Sequence, residues 1–531
     1  TITATNYATG TLMAGATLNL GSPSSTLTNY GTFASAASAT ARTISDTNIN
    51  GSFIQDRAGI TFVRVDSPIN GMDKFIVSGD ATLDGLLKPV PVDRSMIAPG
   101  SFTSTIFQTS GTLNSENARI LDQSIIMSYN LAASASGIAL TATANFTPPG
   151  MSSYGTQVGG SIGAMQTAGS SDFFGAVTAR LVTTQSTVPQ LDQTYNALAG
   201  SAISALPQVN YQAVNRSVST FSDRMNSWRV GDSFIASTKN ARALLTSIPS
   251  ANAPVIPGSV NEELPETKKK AGEYKTWITP FGGEYSTNSL NNTIYGGTLG
   301  LEVDSVDRTL IGGVGLTVSQ SNFNYTSSNT PYTPGNATNY GLSFYGGARG
   351  EQAYVSGIAY LGGSTAVFNR QLQTLGFNTA TNVNIHSTVA SARLEAGYNL
   401  LPNAGGESKV QLTPFIAFQP TQVRQNGANE YFTGYGAGFY YGANRNNALP
   451  VSIGAELSGD IDLGDNHKVM PFLRVAWVTD LAGQQSMAAA YVPGYGPTIY
   501  ANGTPSFGDA LIFKGGFKYN WTRKVSAYAT I

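Results

Sequence analysis

The sequence predicts an all-β protein, with a transmembrane antiparallel β-barrel in its C-terminal half and a parallel β-helix at its N-terminus. Three observations carry this prediction. Only 11% of the 531 residues are Asp, Glu, Lys or Arg, and 58 are glycine, a balance that suits many strands joined by small polar turns. From residue 273 onward, apolar and polar residues alternate strand after strand. The turns between those strands alternate too, short then long, which is the pattern of outer-membrane barrels.

The same composition excludes several classes. Thirty basic and 31 acidic residues leave a net charge of −1, so there is no basic excess to neutralise a phosphate backbone, and nucleic-acid binding is not expected. There is no cysteine, so disulfides, Cys-ligated zinc and thiol catalysis are out. Two histidines, His386 and His467, make a multi-His metal site improbable, and no metal or cofactor is expected. No run of 18 apolar residues exists to cross a bilayer as a helix. Thr1-Ile2-Thr3-Ala4 is not a signal peptide; either one was removed or the sequence begins part-way along a longer precursor.

Residues 1–147 read as short strands with polar corners. The units 11–20, 26–33 and 73–85 follow an L-x-N-x-G-T-like pattern, in which apolar side chains stack inside a β-helix and Asn or Gly makes the corners. Their spacing is irregular. Residues 148–204 lose the alternation and are rich in Gly, Ser, Ala and Gln, so they read as a junction. A lumen-length α-helix is predicted in 205–247. Pro207 sits where a helix start tolerates it, and Val214, Val218, Phe221, Met225 and Trp228 form one apolar face. A linker with four prolines and Lys268-Lys269-Lys270 occupies 248–272.

In 273–531 the alternation is clearest over 389–400, where Leu394, Ala396, Tyr398 and Leu400 point one way and Arg393, Glu395 and Asn399 the other. Segments 451–461 and 511–521 repeat it. Short turns are predicted at 304–308, 349–352, 402–407, 464–468 and 522–524, and long polar loops at 319–339, 369–387, 422–447 and 481–508. Tyr431, Tyr435, Phe439, Tyr440 and Tyr441 fall in one such loop, as a partner-binding patch or as a strand rim above the lipid. Eleven strands can be counted from Trp277.

At this point the chain resembles the classical (type Va) autotransporters. Trp277-Ile278-Thr279-Pro280 resembles their aromatic first barrel strand, Gly296-Gly297-Thr298-Leu299-Gly300-Leu301-Glu302-Val303-Asp304 the second, and 310–319 the third. Glu395-Ala396-Gly397-Tyr398, Leu412-Thr413-Pro414-Phe415 and Pro471-Phe472-Leu473-Arg474-Val475-Ala476-Trp477 follow in the family's order. The resemblance implies a twelve-stranded transmembrane barrel, so the sequence is expected to stop short by roughly one strand. It implies that 1–147 is the stem of a β-helical passenger with its capping, autochaperone-like region, including 73–85 and 100–107. It further implies that the 205–247 helix threads the lumen.

Strand parity then nominates Glu302, Arg393, Glu395, Glu456, Asp460, Arg474, Lys514 and Lys518 as lumen charges, facing Arg216, Asp223, Arg224 and Arg229 of the helix. The expected function is an outer-membrane autotransporter that secretes and anchors its own passenger on the surface of a Gram-negative cell, with an adhesive or surface-structural passenger. The expected partners are outer-membrane lipid and lipopolysaccharide, the barrel assembly machinery and a cell-surface or host ligand. The alternatives are a porin-like channel, or an anchor for a catalytic passenger upstream of residue 1.

The chain itself is not expected to be an enzyme. Gly231-Asp232-Ser233-Phe234 is similar to the nucleophile block of GDSL esterases, but no histidine stands at the spacing that family needs. Some autotransporters cleave the lumen helix at an Asn-Asn pair. Asn215-Arg216 and Asn226-Ser227 lack the second Asn, so the passenger is expected to stay attached.

Overall fold

The computed structural model describes residues 1–35, 43–121, 124–169, 172–230, 273–287, 289–305, 309–327, 330–350, 352–371, 380–400, 408–432, 436–464, 467–482, 485–492, 495–505, 509–520 and 526–530. The N-terminal part is a β-solenoid of three parallel sheets. One stacks Thr3–Asn6, Thr26–Asn29, Ser52–Gln55, Ala81–Leu83 and Leu113–Asn114; a second runs from Thr11–Met13 through Ile60–Asp66 to Arg119–Ile120. The third stacks Thr17–Asn19, Asp46–Asn50, Lys74–Val77 and Gly100–Thr109, and the antiparallel hairpin Met127–Ala133 and Gly137–Ala144 closes its end.

Register explains why the repeat is irregular in sequence. Thr3 pairs with Thr26, Thr26 with Ser52, Phe53 with Ala81 and Ala81 with Leu113, so the coil lengthens through 23, 26, 28 and 32 residues. The extra residues leave at the corners while the interior keeps its stack. Phe33, Phe53, Phe75 and Phe107 fill that interior with ring centroids 4.8–5.9 Å apart. At one corner the Asn6 amide donates to Asn29 Oδ1 at 2.7 Å and to the Thr32 carbonyl at 2.8 Å. Gly31 follows because a Cβ there would lie 2.3 Å from the carbonyl oxygens of Tyr7 and Gly10.

One buried ion pair, unforeseen in the sequence, ties the third coil to Ser35 and Ser45 of the second. Arg64 binds Asp73 through Nε at 2.9 Å and Nη2 at 2.8 Å, and the same guanidinium donates to Ser35 and Ser45.

Residues 148–204, read as a junction without strand alternation, are helical. This stretch folds as three helices, α1 (Ser153–Thr167), α2 (Asp172–Thr184) and α3 (Val188–Leu198), followed by α4 (Leu206–Val230). Glycine and serine give α1 little intrinsic helicity, so packing decides its fold. The local signals are the caps: Ser152 Oγ accepts from the Gly155 N–H at 3.0 Å, and Thr187 Oγ1 accepts from the Gln190 N–H. The buried Tyr195 hydroxyl donates to the Phe146 carbonyl at 3.0 Å, and burial pushes that phenol well above its ordinary pKa.

Residues 273–530 form one antiparallel sheet that curls around α4. Its wall has eleven strands among the described residues: Glu273–Ser286, Leu290–Asp304, Leu310–Ser327, Thr330–Arg349, Ala353–Gln371, Ala380–Tyr398, Ser408–Phe418, Pro450–Gly464, His467–Asp480, Ala510–Asn520 and Ser526–Thr530. The first and last are its edges. The predicted loops at 319–339, 422–447 and 481–508 prove to be largely paired strand. Leu310–Ser327 and Thr330–Arg349 stay paired out to Ser327 and Thr330, and Gln485–Val492 pairs with Tyr495–Pro505. Their many Gly, Asn and Tyr residues made these segments read as loops, yet a ladder satisfies their backbone groups and one face buries Phe323, Phe439 and Ile499.

The outward face of the wall is an apolar belt. Leu316, Phe344, Leu361, Leu394, Leu473 and Phe513 all stand exposed, while Ser391, Glu395, Glu456 and Lys518 on the opposite parity are buried. That is the inverse of a soluble sandwich, in which the apolar face turns inward.

Candidate functional site: the lumen and its helix

The lumen site is built from α4 and the inward parity of the wall. Tyr211, Val214, Val218, Phe221 and Met225 form the apolar stripe of α4, and they are buried against Trp277, Tyr345, Ile358, Tyr360 and Val389. The Phe221 ring lies 5.5 Å from Trp277 and 5.3 Å from Tyr345. It fits because the facing wall position is Gly315, where a Cβ would come within 2.6 Å of the ring.

The polar faces of α4 are held at successive levels. Near its start the Ser364 hydroxyl donates to Asn210 Oδ1 and the Asn292 amide to Gln212 Oε1, both at 2.7 Å. Lower down the Gln419 amide donates to Asn215 Oδ1 at 2.6 Å, and Arg216 lies over the Phe281 ring. Asp223 pairs with Lys514, which also reaches Ser219 at 3.2 Å. Arg224 grips Glu302 with both arms of its guanidinium, and the Tyr345 hydroxyl donates to the same carboxylate at 3.1 Å. At the end of the helix Arg229 binds Glu456 and lies over Tyr354. Arg349 donates to the carbonyls of Trp228 and Arg229, so a cation neutralises the negative end of the helix dipole.

A chain of charges continues into the wall. Glu456 accepts from Arg474 at 3.3 Å, Arg474 donates to Glu395 at 2.7 Å, and Arg393 donates to Glu395 at 2.6 Å. The Tyr354 hydroxyl completes the set around Glu395 at 2.8 Å. Lys518 is buried and lines a small cavity beside Asp223 and Asn226. The Asp460 side chain lies outside the described residues, as do Gly231–Phe234 and Tyr435. Sequence reasoning passed over Arg349, Asn210, Gln212, Asn292, Ser364 and Gln419. A search of α4 for amides as well as charges would have found the helix members, and wall parity their partners.

In the Tyr-rich hairpin Phe439 and Tyr441 turn inward, while Tyr440 packs on Tyr491 and Tyr431 stays exposed. Of the two readings, this geometry is that of a strand rim.

Residues 276–531 match the family model described as the autotransporter β-domain. The chain carries an autotransporter β-domain. Among solved structures, the translocator domain of the autotransporter NalP from Neisseria meningitidis is 13% identical, with a TM-score of 0.36 over 50% of this chain and 82% of that one. The β-domain of the Bordetella autotransporter BrkA is 16% identical, with a TM-score of 0.32 over 49% and 91%. The ferric yersiniabactin receptor FyuA from Yersinia pestis is 8% identical, with a TM-score of 0.24 over 49% and 45%. No curated protein matches the chain.

The autotransporter domain places the wall, with its apolar belt, in the Gram-negative outer membrane. Leu316 stands exposed in that belt. Leu316→Arg is expected to lower barrel stability by about 2–4 kcal/mol if the residue sits near the bilayer midplane. Urea unfolding in liposomes would measure it. A change near zero would place this strand face away from lipid.

Proposed function

We propose that the chain secretes its own passenger across the outer membrane and keeps it anchored on the cell surface. The order of parts in one polypeptide carries this reading: a solenoid, then helices at the mouth of the barrel, then a helix lying within the barrel, then the barrel itself. Such an order leaves the solenoid outside once α4 has come to rest in the lumen, with the long hairpins facing outward and the short turns facing the periplasm. Folding of the solenoid beyond the membrane can supply direction, since each added coil buries apolar surface that the unfolded chain leaves in water. Lipid and lipopolysaccharide meet the belt, and the barrel assembly machinery inserts it.

The passenger segment is adhesive or surface-structural in this reading. Residues 1–147 contain no histidine, which rules out His-dependent catalysis within them, and their exposed Thr, Ser and Asn faces offer hydrogen bonds to a cell-surface or host ligand. A porin-like channel would need an open lumen, and α4 within it together with the helices packed at the mouth of the barrel weigh against it.

Protease added to intact cells provides the test. Loss of 1–147 with protection of the 273–531 fragment is expected. Protection of the whole chain would overturn surface display.

A further inference from the structure

We propose that the seal of this barrel is the collar formed by α1, α2 and α3 at the hairpin end, and that the lumen beside α4 is open to periplasmic water. The inference rests on the outward orientation of the hairpins given above.

The inward face of the wall changes character along its length. Beside α4 one side of it is apolar, with Trp277, Tyr345, Ile358, Tyr360 and Val389, and the other is polar and charged. Toward the hairpin end it carries Leu290, Phe323, Ala366, Phe368, Val383 and Ile385, buried in one apolar core with Leu191, Tyr195, Leu198 and Ile203 of the collar. The hairpins close over the collar from above. The Tyr500 N–H donates to Gln157 Oε1 at 2.8 Å, and the Phe439 ring meets Phe174 edge-on at 5.4 Å. That core runs on without a break into the end of the solenoid through Ile97, Ile126 and Phe146. The base of the solenoid is therefore the outer wall of the stopper.

The region below is different. A cavity of about 180 Å³ runs along α4, with Ser222, Asn226, Arg393, Arg474 and Lys514 on it beside the apolar Phe415 and Ile512. A smaller one of about 50 Å³ shares Asn226, Arg474 and Lys514 with it and reaches Met470 and Lys518, toward the short-turn end of the wall. At roughly 30 Å³ per molecule, a space of this size with several charged and amide side chains on its wall has room and partners for several waters. An ion travelling up this side of α4 would stay hydrated until it met the apolar collar, where it would have to shed its shell. On this geometry α4 occupies the lumen without sealing it, and the barrier lies in the collar.

The chain has no cysteine, so one introduced thiol reports its own accessibility. Ser222→Cys in the full chain would be probed with a membrane-impermeant maleimide, once on intact cells and once after the periplasmic side is opened. We expect labelling from outside to be at least about tenfold slower than labelling from the periplasmic side, because the reagent must cross the apolar collar. Adding Leu191→Asp and Tyr195→Ala to loosen the collar should remove that difference, with Phe174→Ala as a milder second variant should the double change fail to fold. Equal labelling from both sides with the collar intact would overturn the proposal, and so would absence of labelling from either side. Glu116→Cys on the exposed solenoid separates the two readings. Failure to label it from outside would overturn surface display, while the asymmetry at Ser222→Cys would still decide the seal.

Discussion

Replacing Glu395 by leucine will destabilise the folded barrel by about 3–5 kcal/mol, a larger loss than any single removal of one of its donors. Glu395 is buried, and it accepts from Arg393, Arg474 and Tyr354 at once. Its loss leaves two guanidinium groups side by side with one fewer anion between them. Arg474 retains Glu456 at 3.3 Å, but the nearest partner left to Arg393 is the Gln419 amide oxygen, also at 3.3 Å. Removing a donor is different in kind. After Arg393→Met, Glu395 still holds Arg474 and the Tyr354 hydroxyl, so no charge is stranded. Two guanidinium groups beside a wet cavity can recover some hydration, which places Glu395→Leu toward the lower end of that range. The ordering can be read from the temperature at which purified barrel loses its folded mobility on a gel. If Arg393→Met lowers that temperature as much as Glu395→Leu does, the cluster is merely solvated and this account of the lumen fails.

The parts legible in the sequence are those where one physical rule acts alone. Along the wall, period-2 alternation separates Leu394 and Tyr398 from Arg393 and Glu395 without reference to anything else, because lipid selects one face and the lumen the other. On α4 the spacing of Val214, Val218, Phe221 and Met225 is likewise self-sufficient. The solenoid was readable through its corners, Asn29 and Gly31 among them, although its widening coil hid the period.

What stayed hidden depends on two segments at once. Beyond the caps at Ser152 and Thr187, 148–204 carries little that announces three helices, since their cores are completed by Phe323, Phe368 and Ile385, more than a hundred residues away. The hairpin strands of 421–448 and 485–505 read as loops because their buried face, with Phe439, Ala490 and Ile499, finds its core only in the collar helices. Arg349 was passed over for a related reason: it lies at the end of a strand beside a turn, and only the arrival of the α4 terminus gives it carbonyls to bind. The Arg64–Asp73 pair faces across a short antiparallel hairpin, next to the Val65–Met72 pair, and the sequence reading placed no hairpin there.

The collar makes an opposite-sign prediction at two adjacent glycines of α1. In a helix interior, Gly→Ala ordinarily adds about 0.5–1 kcal/mol of stability by restricting the unfolded chain and improving helix propensity. Gly160 has open space where a Cβ would go, so Gly160→Ala should show that gain. At Gly159 the same Cβ would lie 2.2 Å from the Phe146 carbonyl oxygen and 2.9 Å from the Tyr195 ring. The ring can turn aside, but the carbonyl belongs to the backbone that ends the solenoid, and it already accepts the Tyr195 hydroxyl. Either α1 backs away from the solenoid or that hydrogen bond breaks. Gly159→Ala should therefore destabilise the collar by about 1–3 kcal/mol, the usual range for overpacking. Hydrogen exchange over α1–α3 in the membrane-embedded protein separates the two substitutions, with faster exchange for Gly159→Ala and unchanged or slower exchange for Gly160→Ala. Equal behaviour at both positions would mean that α1 does not press on the end of the solenoid, and the passenger would then hang from the barrel by a hinge instead of standing on it.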